Sequence, residues 1–323
     1  MVDVDMTLDF PTILSARGRI QPHIHRTLVL TSSRLDEASG ASLFFKCENF
    51  QKIGAFKARG ATNAVFSLDD AMARRGVATH SSGNHGAAVA RAAKLRGITA
   101  HIVMPSNSAK VKIRAVESYG ARVVFCEPTE EARETICADV IAKTGATLIH
   151  SFENPDVIAG QGTAVVELLE DVPDLDLVMC PVGGGGLLSG TAIAAKSMRP
   201  GISVIAAEPE NADDAAQSFR AGRVIQSEKK FTIADGLRTN VGEPNFAIIK
   251  KYVDDIVTVG EKAIISAMRT IWETMKIIVE PSAAVPFAAI QDRKIDVAGK
   301  RVGIILTGGN VDLDALPWLQ ADR

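Results

Sequence analysis

A lysine amine reacts only if it can lose its proton, and one stretch of this 323-residue chain sets the conditions for that. "FQKIGAFKARGA", residues 50–61, holds Lys52, Lys57 and Arg59 among small and apolar residues. Lys57 directly follows Phe56 and is followed by Ala58, Gly60 and Ala61. Either the stretch is a solvated helix face, or one amine in it is set to react. Apolar and cationic surroundings both disfavour an ammonium ion, so they would lower its pKa.

A reacting amine needs a ligand, and three glycine-bearing loops offer places for one. In "VMCPVGGGGLLSG", Gly183, Gly184, Gly185 and Gly186 stand between a strand-like run and a helical one. Without Cβ atoms such a loop can turn its N–H groups toward one point, and the helix start adds its own donors and dipole. That suits a phosphate; a tight turn alone would need only one or two glycines. The loop lacks the lysine of GxxxxGK[ST] and does not fit GxGxxG, so neither an ATPase nor a nicotinamide dinucleotide is favoured. "THSSGNHGAAVA" crowds Ser81, Ser82, Asn84 and His85 at a second helix start. One of them would suffice as a cap; four polar side chains suit a carboxylate ligand. "LTGGN" places Thr307, Gly308, Gly309 and Asn310 after the last strand-like run.

The elements that must position these loops follow from the apolar runs. Strands are expected at Leu43–Cys47, Val77–His80, His101–Met104, Val123–Phe125, Thr147–His150, Val178–Val182, Val204–Ala207, Ile256–Val259 and Val302–Leu306. Helical patterns lie between most of them, for example over Gly86–Leu95, Ala159–Leu169, Leu187–Met198 and Ala263–Met275. Continuous apolar strands alternating with helices predict an α/β protein with parallel sheets covered on both faces. Nine strands are many for one open sheet, so two domains are expected. All three glycine loops follow strands, so they can converge at the strands' carboxyl ends.

Composition narrows the class of function. A net charge of −2, without a long basic run, argues against a nucleic-acid partner. No apolar stretch is long enough to span a bilayer, and the acidic "MVDVDMTLDF" is unlike a secretory signal. Cys47, Cys126, Cys137 and Cys180 are scattered without CxxC, which predicts reduced, mostly buried thiols in a cytoplasmic protein and no zinc site. The chain runs only about a dozen residues past "TGGN", so no appended regulatory domain is expected.

The motifs "KCENFQKIGAFKARGA", "SSGNHG", "VIAGQGT", "PVGGGGLLSG", "TIADGL", "EPSAA" and "TGGNVDL" occur in that order. In that order they resemble the fold-type II pyridoxal-phosphate enzymes, specifically the serine racemase and serine/threonine dehydratase family, over almost the whole chain. The resemblance implies a tryptophan synthase β-like pair of open, mostly parallel α/β domains with the active site in the cleft between them. Residues 1–76 and 151–323 would form the large cofactor-binding domain and 77–150 the small one.

By the same resemblance Lys57 would form the Schiff base with pyridoxal phosphate, and Phe56 would lie against its ring. Asn84 would meet the ring's 3′ oxygen, Gly183–Gly186 its phosphate and Thr307 its nitrogen. Glu280 would be an acid on the cofactor side. Ser81, Ser82, Asn84 and His85 would line the substrate side. A hydroxyl partner leaves the ring nitrogen largely neutral, which favours β-elimination over transamination. L-serine or L-threonine would then yield a 2-keto acid and ammonia.

Ser82 marks the racemase-type branch, where a serine can exchange a proton on the face opposite the lysine; as a bare sequence feature it is also a helix cap. That branch includes 3-hydroxyaspartate dehydratases. Arg133, in "EEARET", corresponds to a position facing the substrate side chain and could pair with a second carboxylate, or it could be an exposed helix arginine. Glu208, the carbonyl of Ala212 and Asp214, in "AAEPENADDAAQSF", match the branch's divalent-metal site, suited to Mg²⁺, Ca²⁺ or Mn²⁺; acidic turns are also common without a metal. A homodimer is what the family implies. The reading from another class is a non-catalytic binder of a phosphorylated effector, which would have no use for Lys57.

Overall fold

The structure is a computed structural model and describes residues 8–81, 83–108, 110–227 and 231–319. Among the described residues ten strands form two sheets: β1 Val29–Leu30, β2 Ser42–Cys47, β3 Val77–His80, β4 Ala100–Pro105, β5 Arg122–Cys126, β6 Thr147–Leu148, β7 Leu177–Pro181, β8 Ser203–Pro209, β9 Asp255–Val259 and β10 Arg301–Leu306. The larger sheet has the order β1-β2-β10-β7-β8-β9, the smaller β5-β4-β3-β6. Every pairing is parallel except β1 with β2.

All nine expected strands are present. The unforeseen strand β1 is two residues long, too short to carry a period, and pairs only with β2. The run expected to continue to His150 ends at Leu148. Ile149 N still donates to Ala78 O at 2.8 Å, after which the chain turns toward the cleft.

Apolar layers cover both faces of the larger sheet. One contains Leu168, Leu188 and Val204, the other Phe45, Met268 and Phe287. Separate clusters, which include Val89 with Ile102 and Val103 with Cys137, pack around the smaller sheet. No helix among the described residues is long and apolar enough to cross a membrane. All four cysteines are free and buried.

The helix Lys57–Ser67 carries the candidate amine and crosses the helix Pro155–Asp171 with almost no space between them. A Cβ on Gly160 would stand 2.6 Å from Gly60 Cα and 2.8 Å from Arg59 O, so side chains at this crossing would force the helices apart. Beneath the same helix lies a buried ion cluster. Arg59 Nε donates to Glu48 Oε2 at 2.7 Å, while its Nη1 and Nη2 donate to the Glu167 oxygens at 2.8 and 2.7 Å. Lys46 Nζ donates to Glu167 Oε2 at 2.7 Å and to Thr27 O at 2.8 Å. Two cations and two anions cancel, which makes their burial tolerable. The cluster ties β2 to both helices.

Candidate active site

The loops after β3, β7 and β10 meet at the carboxyl ends of their strands, around a cavity of about 420 Å³. Lys57, Ser81, Asn84, Gly183–Gly186 and Thr307 all line it. So do Phe56, His85, Arg133 and Glu280. Ser82 lies outside the described residues.

A short antiparallel bridge sets Lys57 beside Thr307. Ala55 pairs with Gly308, and Phe56 N donates to Thr307 O at 2.9 Å. Lys57 Nζ donates to Ser151 O at 2.9 Å and stands 5.2 Å from the centroid of the Phe56 ring. Its pKa is lowered to about 8 by burial, partly offset by the charge of Glu280. The expected cationic contribution is absent, because Arg59 turns away and is neutralised by Glu48 and Glu167. Only the apolar half of that expectation holds. Lys52 is a half-buried residue outside the cavity wall.

The glycine loop is enforced by protein neighbours. The Phe152 ring occupies the space a Cβ on Gly184 would need, and Phe152 O would stand 2.9 Å from one on Gly186. Gly185 has φ +90°. Packing therefore requires more than the one or two glycines a turn alone would need. Among the described residues, none of the four N–H groups donates to a side chain or, outside a helix, to a backbone carbonyl. They are free to serve an anion.

Asn84 is held at both ends of its amide. Its Nδ2 donates to the two Glu280 oxygens at 3.0 and 3.1 Å, and its Oδ1 accepts from Asn310 Nδ2 at 2.9 Å. Burial, then the nearby charge of Asp235, raises Glu280 to about 7. Lys112 reaches Asp235 in an ion pair across the cleft.

His85 departs from its expected role at the substrate carboxylate. Its Nε2–H donates to Ile149 O at 2.9 Å, which leaves Nδ1 a bare, buried acceptor without a partner among the described residues. Burial and the neighbouring Lys57 lower its pKa to about 3, so the ring is neutral. A bare nitrogen lone pair repels a carboxylate; what His85 can offer is its backbone N–H in the first turn of the helix Asn84–Arg96. Ser81 Oγ already accepts from Gly83 N at 3.2 Å and keeps its proton for a ligand. Arg133 lines the cavity beside Glu130 and Glu134, which favours the site-facing of its two readings.

His80, His150 and Phe152 also line the cavity and were not expected from sequence. The rings of His80 and His150 lie 6.0 Å apart, and burial lowers both pKa values. His80 opens the "THSSGNHGAAVA" stretch but reads there as the end of a strand, and His150 follows β6 with no motif of its own.

Glu208 and Asp214 lie away from this cavity. Glu208 accepts from Ala215 N and Ala216 N at 3.1 and 2.9 Å, at the start of the helix Asp214–Ala221. Asp214 Oδ2 accepts from Val241 N at 2.6 Å. Burial, then the adjacent Asp214, pushes Glu208 well above the usual carboxylate range. Among the described residues no three His, Cys, Asp or Glu side chains gather at one point. A cation there would draw on a backbone carbonyl and water as well, and would relieve the repulsion between the two acids.

Thr307 tests the fit of a cofactor. Its Oγ1 is buried without a partner among the described residues at the cavity wall, an arrangement that costs free energy unless a ligand supplies an acceptor or donor. An amine that sheds its proton near neutrality can condense with a carbonyl. With an anion cradle on the same cavity, the lining fits an enzyme that joins a lysine to a phosphorylated aldehyde.

The chain belongs to the pyridoxal-phosphate dependent enzymes: the family model described as "Pyridoxal-phosphate dependent enzyme" matches residues 20–308. It falls in the fold-type II branch that holds serine racemases and hydroxyaspartate dehydratases. It is 50% identical to a beta-hydroxyaspartate dehydratase of Paracoccus denitrificans, over 96% of this chain and 98% of that one. It is 50% identical to a serine racemase of Dictyostelium discoideum, over 96% and 97%. The solved structure of maize serine racemase superposes with a TM-score of 0.93 at 47% identity, covering 96% of each chain.

Proposed function

We propose that this chain is an ammonia-lyase that uses pyridoxal phosphate to dehydrate 3-hydroxy amino acids such as L-serine and L-threonine, giving a 2-keto acid and ammonia. The observation that supports it is Lys57 Nζ, lowered to about 8, on the same cavity as the free N–H groups of Gly183–Gly186 and the unpartnered Thr307 hydroxyl.

Pyridoxal phosphate, when bound, supplies the electron sink that makes an amino acid's α-proton removable. Gly183–Gly186 would hold its phosphate, Thr307 its ring nitrogen, Asn84 its 3′ oxygen and Phe56 its ring face, with Glu280 hydrogen-bonded to Asn84. Lys57 Nζ, neutral above about pH 8 and steadied by Ser151 O, takes the α-proton as general base. The hydroxyl of Ser81, Asn84 and the N–H groups opening the helix Asn84–Arg96 receive the substrate carboxylate. The β-hydroxyl would leave as water, the proton taken by Lys57 making up the balance, and the enamine formed would tautomerise to an imine and take up a water to give the keto acid and ammonia.

Two further activities belong to this reading. Ser82 would exchange a proton on the opposite face and so racemise serine. Arg133, on the cavity wall, favours 3-hydroxyaspartate as an alternative substrate, because a guanidinium can bind a second carboxylate at both oxygens. A panel of L-serine, D-serine, L-threonine and the 3-hydroxyaspartate stereoisomers, read by keto-acid release and chiral analysis, tests all three. Release from none of them sinks the lyase proposal. Arg133→Ala should raise KM for 3-hydroxyaspartate about tenfold and leave serine within about twofold; an equal effect on both removes the dicarboxylate role.

We also propose a divalent cation, Mg²⁺ or a similar ion, at Glu208, the Ala212 carbonyl and Asp214. Mg²⁺ should raise the melting temperature, and Asp214→Asn should abolish that rise; an unchanged response removes the site. A homodimer, and a small domain over 77–150 against the rest of the chain, complete the proposal. Sedimentation as a monomer would contradict the first.

A further inference from the structure

Behind the glycine loop, outside the cavity wall, stands Asn245, fully buried at the third position of the helix Glu243–Tyr252. Its Nδ2 donates to two backbone carbonyls, Gly184 O at 2.7 Å and Phe152 O at 2.9 Å. Turning the amide over would set Oδ1 against two oxygens, so these two acceptors fix its orientation. Oδ1 is buried and has no partner among the described residues. The side chain therefore sits here as a double donor, with its acceptor half unused.

Both carbonyls matter to the site. In a trans peptide the carbonyl of one residue and the N–H of the next point in opposite directions. Asn245, with Gly242 N at 3.3 Å, holds Gly184 O on the protein side, and that turns Gly185 N–H toward the cavity. Phe152 is the residue whose ring and carbonyl crowd Gly184 and Gly186. One residue earlier, Ser151 O accepts from Lys57 Nζ. A single buried amide thus joins the anion cradle to the strap that steadies the reacting amine.

We infer that Asn245 is a positioning residue for the anion cradle: it touches neither cofactor nor substrate but fixes the peptide whose N–H meets the phosphate. The inference rests on the proposed phosphate role of Gly183–Gly186, and the test separates the two. Dissociation constants for pyridoxal phosphate and for pyridoxal, which lacks the phosphate, are measured on the full chain stripped of cofactor, by equilibrium dialysis. The parent should prefer the phosphorylated ligand; no preference overturns the cradle reading itself, before any variant is made.

Asn245→Ala should weaken pyridoxal phosphate about tenfold and leave pyridoxal within about twofold. Asn245→Ser, which keeps one donor, should fall between, and it serves if the alanine variant does not fold. Unchanged affinity for pyridoxal phosphate in a folded variant overturns the inference, as does an equal loss for both ligands, the mark of a merely structural role.

Discussion

Two lysines, Lys46 in β2 and Lys57 at the first turn of the helix Lys57–Ser67, meet different fates. Lys46 is fully buried, and burial lowers its pKa, but Glu167 at 2.7 Å and the charge of Glu48 oppose the shift. Lys57 is half-buried at a cavity, and its hydrogen-bond partner is a neutral carbonyl, Ser151 O. The one anion opposing its shift is Glu280, and the amine comes down to about 8. The same physics acts on both amines, and the difference is the partner. A carboxylate partner makes a structural cation; a carbonyl partner in a cavity leaves an amine that can lose its proton.

Exchanging or removing those partners tests the contrast. The largest effect is expected at Lys57→Ala, which should reduce keto-acid release about a thousandfold or more, since the proposed general base and covalent anchor are both lost. Steady-state assays on the purified variant check this. A residual rate within tenfold of the parent would move the chemistry to another amine.

Next comes Glu167→Gln. It leaves Lys46 and Arg59 short of a counter-ion in the interior and should cost about 3 kcal/mol of stability. Urea unfolding measures that loss. A change below about 0.5 kcal/mol would mean the cluster is no structural anchor.

The smallest effect is a pH dependence in the cofactor-free chain. Folding holds Lys57 at about 8 against 10.5 for the ordinary side chain, so the unfolded state binds more protons between those values. Stability gained from losing that ammonium therefore rises as pH climbs from about 8 to 10.5. Lys57→Met should stabilise the chain at pH 7, and its advantage should shrink across that window. An advantage independent of pH would show that charge burial is not what distinguishes this amine.

Much of this could be read from the chain itself, for physical reasons that also mark where reading stops. The strands β2 to β10 announce themselves as apolar runs, because parallel strands covered on both faces need no alternation. The glycine loop and Lys57 stand out because their residue types are unusual for their places. The reason for so many glycines was not readable: the Phe152 ring that fills their space comes from a loop some thirty residues away in sequence. Nor was Asn245, whose two acceptors belong to separate segments. His85 was read from its type and neighbours as a ligand for an anion. Its hydrogen bond to Ile149 O, made only when the sheet forms, decides the tautomer and leaves its backbone N–H, rather than its ring, to meet an anion.

Lys57 is the amine proposed to join the cofactor. Borohydride reduction of the yellow holoenzyme, followed by proteolysis and mass mapping, tests it directly. The account predicts the reduced cofactor's mass on the peptide containing Lys57, with Lys46 and Lys52 unmodified. A label on another lysine, or a colourless protein that takes up no pyridoxal phosphate, would contradict it.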